Sequence, residues 1–154
     1  MEARLNAAAD NDLPVSGWWD GVTHLYPLRV YYADTDAGGV VYHARYLDFA
    51  ERARTEMMRL VDGNKTYRGN GEGIAFLVRA AEIDYRAPAR LDDFLTVRTR
   101  AVHMGGASFR LEQQIWRGDI VLAIVLITLV CVSEIGHPTR ISDALREKLA
   151  GLIG

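Results

Sequence analysis

The sequence predicts an α+β domain, a curved antiparallel sheet of about five strands wrapped around one long central helix. Three observations carry this reading. The apolar residues Tyr46, Phe49, Ala50, Ala53, Met57 and Leu60 recur at spacings of 3, 1, 3, 4 and 3, which marks one face of a helix. Four strand-like segments follow it, separated by Gly, Pro and Asp turns. Their connections are mostly short, and short turns join antiparallel neighbours.

Taken in order, residues 1–24 read as a flexible N-terminal tail, because Asn6 to Asp12 has no useful periodicity. Trp18 and Trp19 near its end read as two partly buried aromatics, with anchoring to the body or to a partner subunit as the alternative. The domain proper spans 25–136. Leu25 to Tyr32 forms a first strand, and Asp34-Thr35-Asp36-Ala37-Gly38-Gly39 is a turn needing special backbone angles. Val40 to His43 is a short apolar link. The helix runs from about Ala44 to Val61 and stops at Asp62-Gly63. Asp62 to Gly73 is polar with four glycines and reads as a loop. The later strands are Ile74 to Tyr85, Phe94 to Met104, Ser108 to Trp116 and Ile120 to Ser133. Gly105-Gly106 and Arg117-Gly118-Asp119 supply hairpin turns. A C-terminal helix occupies 137–154, with Pro138 to Leu149 as its body and Ser142 or Asp143 near its start.

Composition narrows the function classes. The chain has 154 residues, 49% apolar and 25% charged, which suits one globular domain rather than a disordered segment. A net charge of −2 argues against a nucleic-acid partner. A single cysteine, Cys131, excludes an intrachain disulfide and a zinc site built on several thiolates, and it suits a reducing compartment. Ile120 to Val132 is thirteen residues interrupted only by Thr128, against the roughly 20 of a membrane span. Eight of the thirteen are Ile, Val or Thr, which favours a strand buried on both faces. One face takes the helix, and a second subunit is the simplest cover for the other. No secretory signal is legible at the start, so a soluble cytoplasmic protein with no membrane span is expected.

Between Arg29 and Tyr46 the chain gathers two carboxylates, two glycines, a histidine and the start of a helix. Carboxylates serve as bases or nucleophiles. A glycine-flanked helix entry presents free N–H groups at its positive end, suited to a developing oxyanion. Together they fit hydrolysis of an activated acyl group. Acyl-enzyme chemistry on Ser or Cys is poorly supported, since no Gly-x-Ser-x-Gly elbow is present and Cys131 lies inside an apolar strand. Asp34 also fits a turn residue whose side chain caps nearby N–H groups, Asp36 fits that role about equally well, and His43 fits simple packing. A divalent cation on Asp34 and Asp36 is disfavoured, because no further carboxylate or histidine clusters nearby.

The segment Tyr31-Tyr-Ala-Asp-Thr-Asp-Ala-Gly-Gly-Val-Val-Tyr-His-Ala-Arg-Tyr46 resembles the signature of the 4-hydroxybenzoyl-CoA thioesterase family of hotdog-fold proteins. With Glu51-Arg-Ala-Arg-Thr-Glu56 and Tyr85-Arg-Ala-Pro-Ala-Arg-Leu-Asp-Asp93, it is most similar to the Tol-Pal-associated, YbgC-like acyl-CoA thioesterase branch. The resemblance covers about residues 26–134. It implies a hotdog domain, an acyl-CoA substrate and a homodimer or homotetramer whose sheets join, with acyl carrier protein as another possible carrier. It implies that Asp36 is the catalytic carboxylate and that the thioester lies at a subunit interface. The carbonyl would face N–H groups around Gly39, Val40, Val41 and His43, with His43 helping to orient it. Tyr46 and Glu51 match further motif positions on the substrate side, although helix packing also explains both. Arg52, Arg54, Arg86 and Arg90 are candidates for the CoA phosphates. No cofactor and no metal is implied. The tail before Leu25 and the very apolar Ile120 to Val132 depart from the family pattern. Two rival readings keep the fold: a 3-hydroxyacyl-thioester dehydratase using His43, and a non-catalytic acyl-thioester or acyl-carrier-protein binding module.

Overall fold

The structure, a computed structural model, describes residues 15–62 and 74–154. The tail up to residue 14 and the loop of 63–73 lie outside the described residues. Six strands form one sheet: β1 (Trp18–Asp20), β2 (Thr23–Arg29), β3 (Ile74–Tyr85), β4 (Phe94–Met104), β5 (Ser108–Arg117) and β6 (Ile120–Ser133). Their order is β1-β2-β4-β5-β6-β3, with every pair antiparallel. The helices are α1 (Arg45–Asp62) and α2 (Asp143–Ala150).

Helix α1 forms where the periodicity placed it, and its stripe faces the sheet. Tyr46, Phe49, Ala50, Ala53 and Met57 are buried. Burying each large side chain of that stripe contributes about 1.5–3 kcal/mol. The stripe is rotated at its far end, because Leu60 is 45% exposed while Arg54 and Met58 are buried. Arg54 is tolerated inside because it donates from Nη1 to Gln113 Oε1 at 3.0 Å. The Gln113 amide in turn donates to Ala50 O at 2.8 Å and to Thr99 Oγ1 at 3.0 Å. Helix and sheet are therefore joined by a buried polar knot as well as by apolar contact.

Three boundaries differ from expectation. The tail does not extend to residue 24, since Trp18–Asp20 pairs with Thr23–Leu25 in a tight hairpin. This adds a sixth strand. Its register is held by buried His24, whose Nε2 donates to Ser16 O at 2.6 Å. The first expected strand ends at Arg29 rather than Tyr32, because Tyr32–Asp34 folds into a single 3₁₀ turn. The C-terminal helix starts at Asp143, capped by the Ser142 hydroxyl, which accepts from Leu145 N at 3.4 Å. Pro138 and Thr139 lie alongside β6 instead, with Thr139 N donating to Cys131 O at 2.8 Å.

The larger difference is topological. β3 and β4 are consecutive but not neighbours, because β3 pairs with β6 along its whole length. The connection 86–93 therefore crosses the end of the sheet instead of turning a hairpin. This sets β6 between β5 and β3, which suits a strand apolar on both faces. It also carries 86–93 past the N-terminal end of α1. No helix among the described residues is long and apolar enough to cross a membrane.

Candidate active site

The chain between β2 and α1 folds into a compact hairpin. Thr35 pairs with Val41, Asp36 N donates to Val40 O at 2.9 Å, and Gly39 N donates to Asp36 O at 3.0 Å. Gly39 takes φ +79°, a conformation that penalises any side chain. The two carboxylates of this hairpin face opposite ways. Asp34 is buried, and its Oδ2 accepts from Tyr31 N at 2.9 Å. Its own carbonyl accepts from Tyr42 N at 2.9 Å, tying the two arms together. Asp36 is exposed, and only one of its oxygens is held: Oδ1 accepts from Gly38 N at 2.8 Å. Oδ2 takes no hydrogen bond among the described residues. A Cβ at Gly38 would stand 3.1 Å from Oδ1, so glycine there lets the carboxylate fold back onto the turn.

The N–H groups entering α1 divide into two sets. Those of Gly39, Val41 and Tyr42 are engaged, by Asp36 O, Ala89 O and Asp34 O. Those of Val40, His43 and Ala44 have no backbone acceptor among the described residues. Of these, His43 and Ala44 directly precede the positive end of the helix and can donate to an anion. Of the N–H groups expected around Gly39 to His43, those of Val40 and His43 lack a backbone acceptor among the described residues, as does that of Ala44.

The crossing segment 86–93 braces this hairpin from behind. Val41 N donates to Ala89 O, while Ala89 N donates to the Tyr46 hydroxyl, both at 2.9 Å. Val30 N donates to Asp93 O, and Arg86 N and Ala87 N both donate to Leu122 O. Asp92 takes φ +68°, the left-handed region that aspartate tolerates better than most residues. Burial alone would raise the Asp93 carboxyl pKa. The Arg90 N–H and the Arg117 guanidinium, which donates at 2.8 Å, outweigh that and hold it below the ordinary value.

The sequence-derived residues fall at distinct places. Asp36, Gly39 and His43 are exposed around the turn, with the His43 ring against Tyr42 at 4.5 Å between centroids. Val40 is half-buried, and Val41 is in the core with its N–H occupied. Tyr46 is 3% exposed and spends its hydroxyl on Ala89 N, so it supports the site from the core. Glu51 lies one and a half turns along α1, exposed, accepting from the Thr55 hydroxyl at 3.0 Å. Arg54 is buried on Gln113 and is not available to a phosphate, whereas Arg52, Arg86 and Arg90 are exposed. Cys131 is buried, and burial pushes its thiol pKa up, away from nucleophilic use. No group of three or more His, Cys, Asp or Glu gathers among the described residues. The sequence reading passed over Tyr85 as a site residue. Its hydroxyl donates to His43 O at 2.7 Å from across the sheet edge, and only the Tyr85–Asp93 motif signalled it.

An antiparallel sheet of six strands with one long helix packed on it is the architecture of hotdog-fold thioesterases. This chain belongs to the thioesterase superfamily, which residues 38–124 match. It is 45% identical over 107 residues to the acyl-CoA thioesterase YbgC of Haemophilus influenzae, covering 70% of this chain and 79% of that one. It is likewise 45% identical over 116 residues to the acyl-CoA thioester hydrolase YbgC of Escherichia coli O6:H1, covering 75% and 86%. Among solved structures, a probable thioesterase from Bartonella henselae superposes with a TM-score of 0.74 at 41% identity, covering 78% of this chain and 99% of that one.

Proposed function

We propose that this chain hydrolyses acyl-CoA thioesters, with Asp36 as the catalytic carboxylate. The observation that supports this is the exposure of the Asp36 carboxylate at the turn into α1, where its neighbour Asp34 is buried. One oxygen is pinned by Gly38 N–H, the other is uncommitted, and unengaged N–H groups stand seven and eight residues on at His43 and Ala44. The thioester carbonyl accepts from these N–H groups and its carbon becomes more electrophilic. Each such donor is worth about 10²–10³ in rate. In the base route, Asp36 takes a proton from water as the water oxygen bonds the carbonyl carbon. The C–S bond then breaks and the CoA thiolate recovers the proton. In the nucleophile route, Asp36 Oδ2 bonds the carbon and expels the thiolate, and water cleaves the mixed anhydride. His43 orients the substrate at the mouth of the turn. Exposed Arg52, Arg86 and Arg90 are the candidates to meet the CoA phosphates. Use of CoA thioesters supports a cytoplasmic location.

The same reading includes a second copy of this chain. β3 is one of the two edge strands of the sheet, and Leu77 (52%), Val78 (50%) and Tyr85 (46%) are exposed along it. An open apolar edge of this kind is stable when another strand pairs with it. Leu77→Lys is expected to shift a dimer or tetramer toward monomer in light scattering, and an unchanged mass would contradict pairing at β3.

The activity is tested with a panel of short, long and aromatic acyl-CoA esters, and the matching acyl-carrier-protein esters, monitored for free thiol. Wild type should release thiol, and Asp36→Asn should lower turnover by about 10²–10⁴-fold. Equal turnover by the two proteins refutes the assignment. An enoyl thioester without thiol release indicates the dehydratase reading, and tight binding without turnover the binding module.

A further inference from the structure

We infer that Tyr85 is a positioning residue for this reaction, holding the peptide group at the entrance of α1 through its hydroxyl. The inference rests on the thioesterase reading above and adds to it a residue on a different element from the carboxylate. Tyr85 is the last residue of β3, the strand farthest from the Asp36 hairpin in sheet order. Its ring meets Tyr46 edge-on at 5.4 Å and His43 edge-on at 6.5 Å between centroids. Its hydroxyl donates to the His43 carbonyl at 2.7 Å. That carbonyl precedes the helix and has no backbone donor among the described residues.

The geometry has a direct consequence. In a trans peptide the C=O and the following N–H point in opposite directions. Fixing the His43 carbonyl toward Tyr85 therefore fixes the Ala44 N–H away from it. Ala44 N–H is one of the donors left unengaged at the helix entrance. Without the phenol, this peptide plane rests only on chain continuity between the His43 turn and the first turn of α1. Neighbouring groups are already held: Tyr42 N by Asp34 O, Arg45 N by Tyr42 O, and Tyr46 through its hydroxyl to Ala89. The Tyr85 hydroxyl completes the set. A phenol is protonated across neutral pH, and partial burial and the nearby Tyr46 push its pKa further up from 10.0.

A brace for folding and a positioning residue predict different kinetics. Tyr85→Phe keeps the ring contacts and removes only the donor. Releasing one peptide plane acts on the transition state more than on substrate binding. The expected result is a fall in kcat of about tenfold with KM within about twofold and an unchanged Tm. Tyr85→Leu, which also removes the ring, is expected to lose at least as much kcat and to melt earlier. Asp36→Asn and wild type are assayed alongside on the same acyl-CoA. If wild type turns over and Asp36→Asn does not, while Tyr85→Phe keeps the wild-type kcat, the positioning role is overturned and the thioesterase reading stands. A Tyr85→Phe protein whose only change is in KM, or whose lost kcat follows a lost Tm, overturns it as well. A wild type without turnover overturns both.

Discussion

Asp34 and Asp36 sit two residues apart in one hairpin and have opposite surroundings. Asp34 is turned inward, 8% exposed, accepting from Tyr31 N and closing the hairpin through its carbonyl. Asp36 is turned outward, with one oxygen on Gly38 and one left open. The contrast extends beyond the pair. The inward set has its functional groups bonded within the fold: the Tyr46 hydroxyl to Ala89 N, the Gln113 amide to Arg54, Ala50 and Thr99, and the Asp93 carboxylate to Arg90 N and Arg117. The outward set (Asp36, His43 and the N–H groups at the helix entrance) keeps bonding capacity unspent. A polar group buried on a partner stabilises the fold, and one exposed with bonding capacity to spare is free to act on a ligand.

If this division is real, variants of the inward set should lose stability and leave the chemistry of the remaining folded protein intact. The largest loss is expected at Gln113→Leu. It removes an acceptor from buried Arg54 and the amide donor to Ala50 O and Thr99 Oγ1, and should cost about 3 kcal/mol, seen as a lower urea midpoint. Asp34→Ala comes next at about 1–2 kcal/mol, or a Tm lower by several degrees. A wild-type Tm with lost turnover would instead move Asp34 to the outward set. His24 is expected to show itself through pH. Burial lowers its pKa from 6.5, opposed by the Ser16 carbonyl and by Glu56. The unfolded chain then holds more protons below that value, so stability falls as pH drops from about 6.5. His24→Gln should flatten this limb between pH 7 and 5, and an unchanged slope would contradict the burial account. The smallest effect is expected at Asp93→Asn. Its carboxyl pKa lies below 3.8, so its stabilisation is present above that value and lost as pH falls through the depressed one. The half-exposed ion pair with Arg117 limits the loss to about 1 kcal/mol or less. The gap to wild type should close in strong acid.

Much of the architecture was legible because it rests on local pattern. The 3.6-residue stripe placed α1 within a residue at each end, and alternation in β4, the unbroken apolar run of β6 and the turn signals between strands placed β3, β4 and β6 at their observed bounds. The sheet order was not legible. A hairpin and a crossing connection of eight residues look alike in sequence, and the choice was made by β6, whose two apolar faces favour a place inside the sheet. Leu60 and Arg54 exchanged places for a similar reason, since the partner that makes Arg54 bearable inside, Gln113, comes 59 residues later. For the site, composition flagged both carboxylates but not their orientation. That depends on Gly38 and Gly39 allowing the turn to fold back on Asp36. Tyr85 was invisible to spacing arguments because its partner, the His43 carbonyl, belongs to the backbone and lies 42 residues away.

The most direct test sets the two aspartates side by side. Asp34→Asn and Asp36→Asn would be assayed for thiol release from one good acyl-CoA substrate and melted from the same preparations. The account predicts a crossed result: Asp36→Asn keeps the wild-type Tm and loses at least about a hundredfold in turnover, while Asp34→Asn melts earlier and keeps its turnover per folded molecule. Wild-type turnover in Asp36→Asn, or the same pattern in both variants, would contradict it.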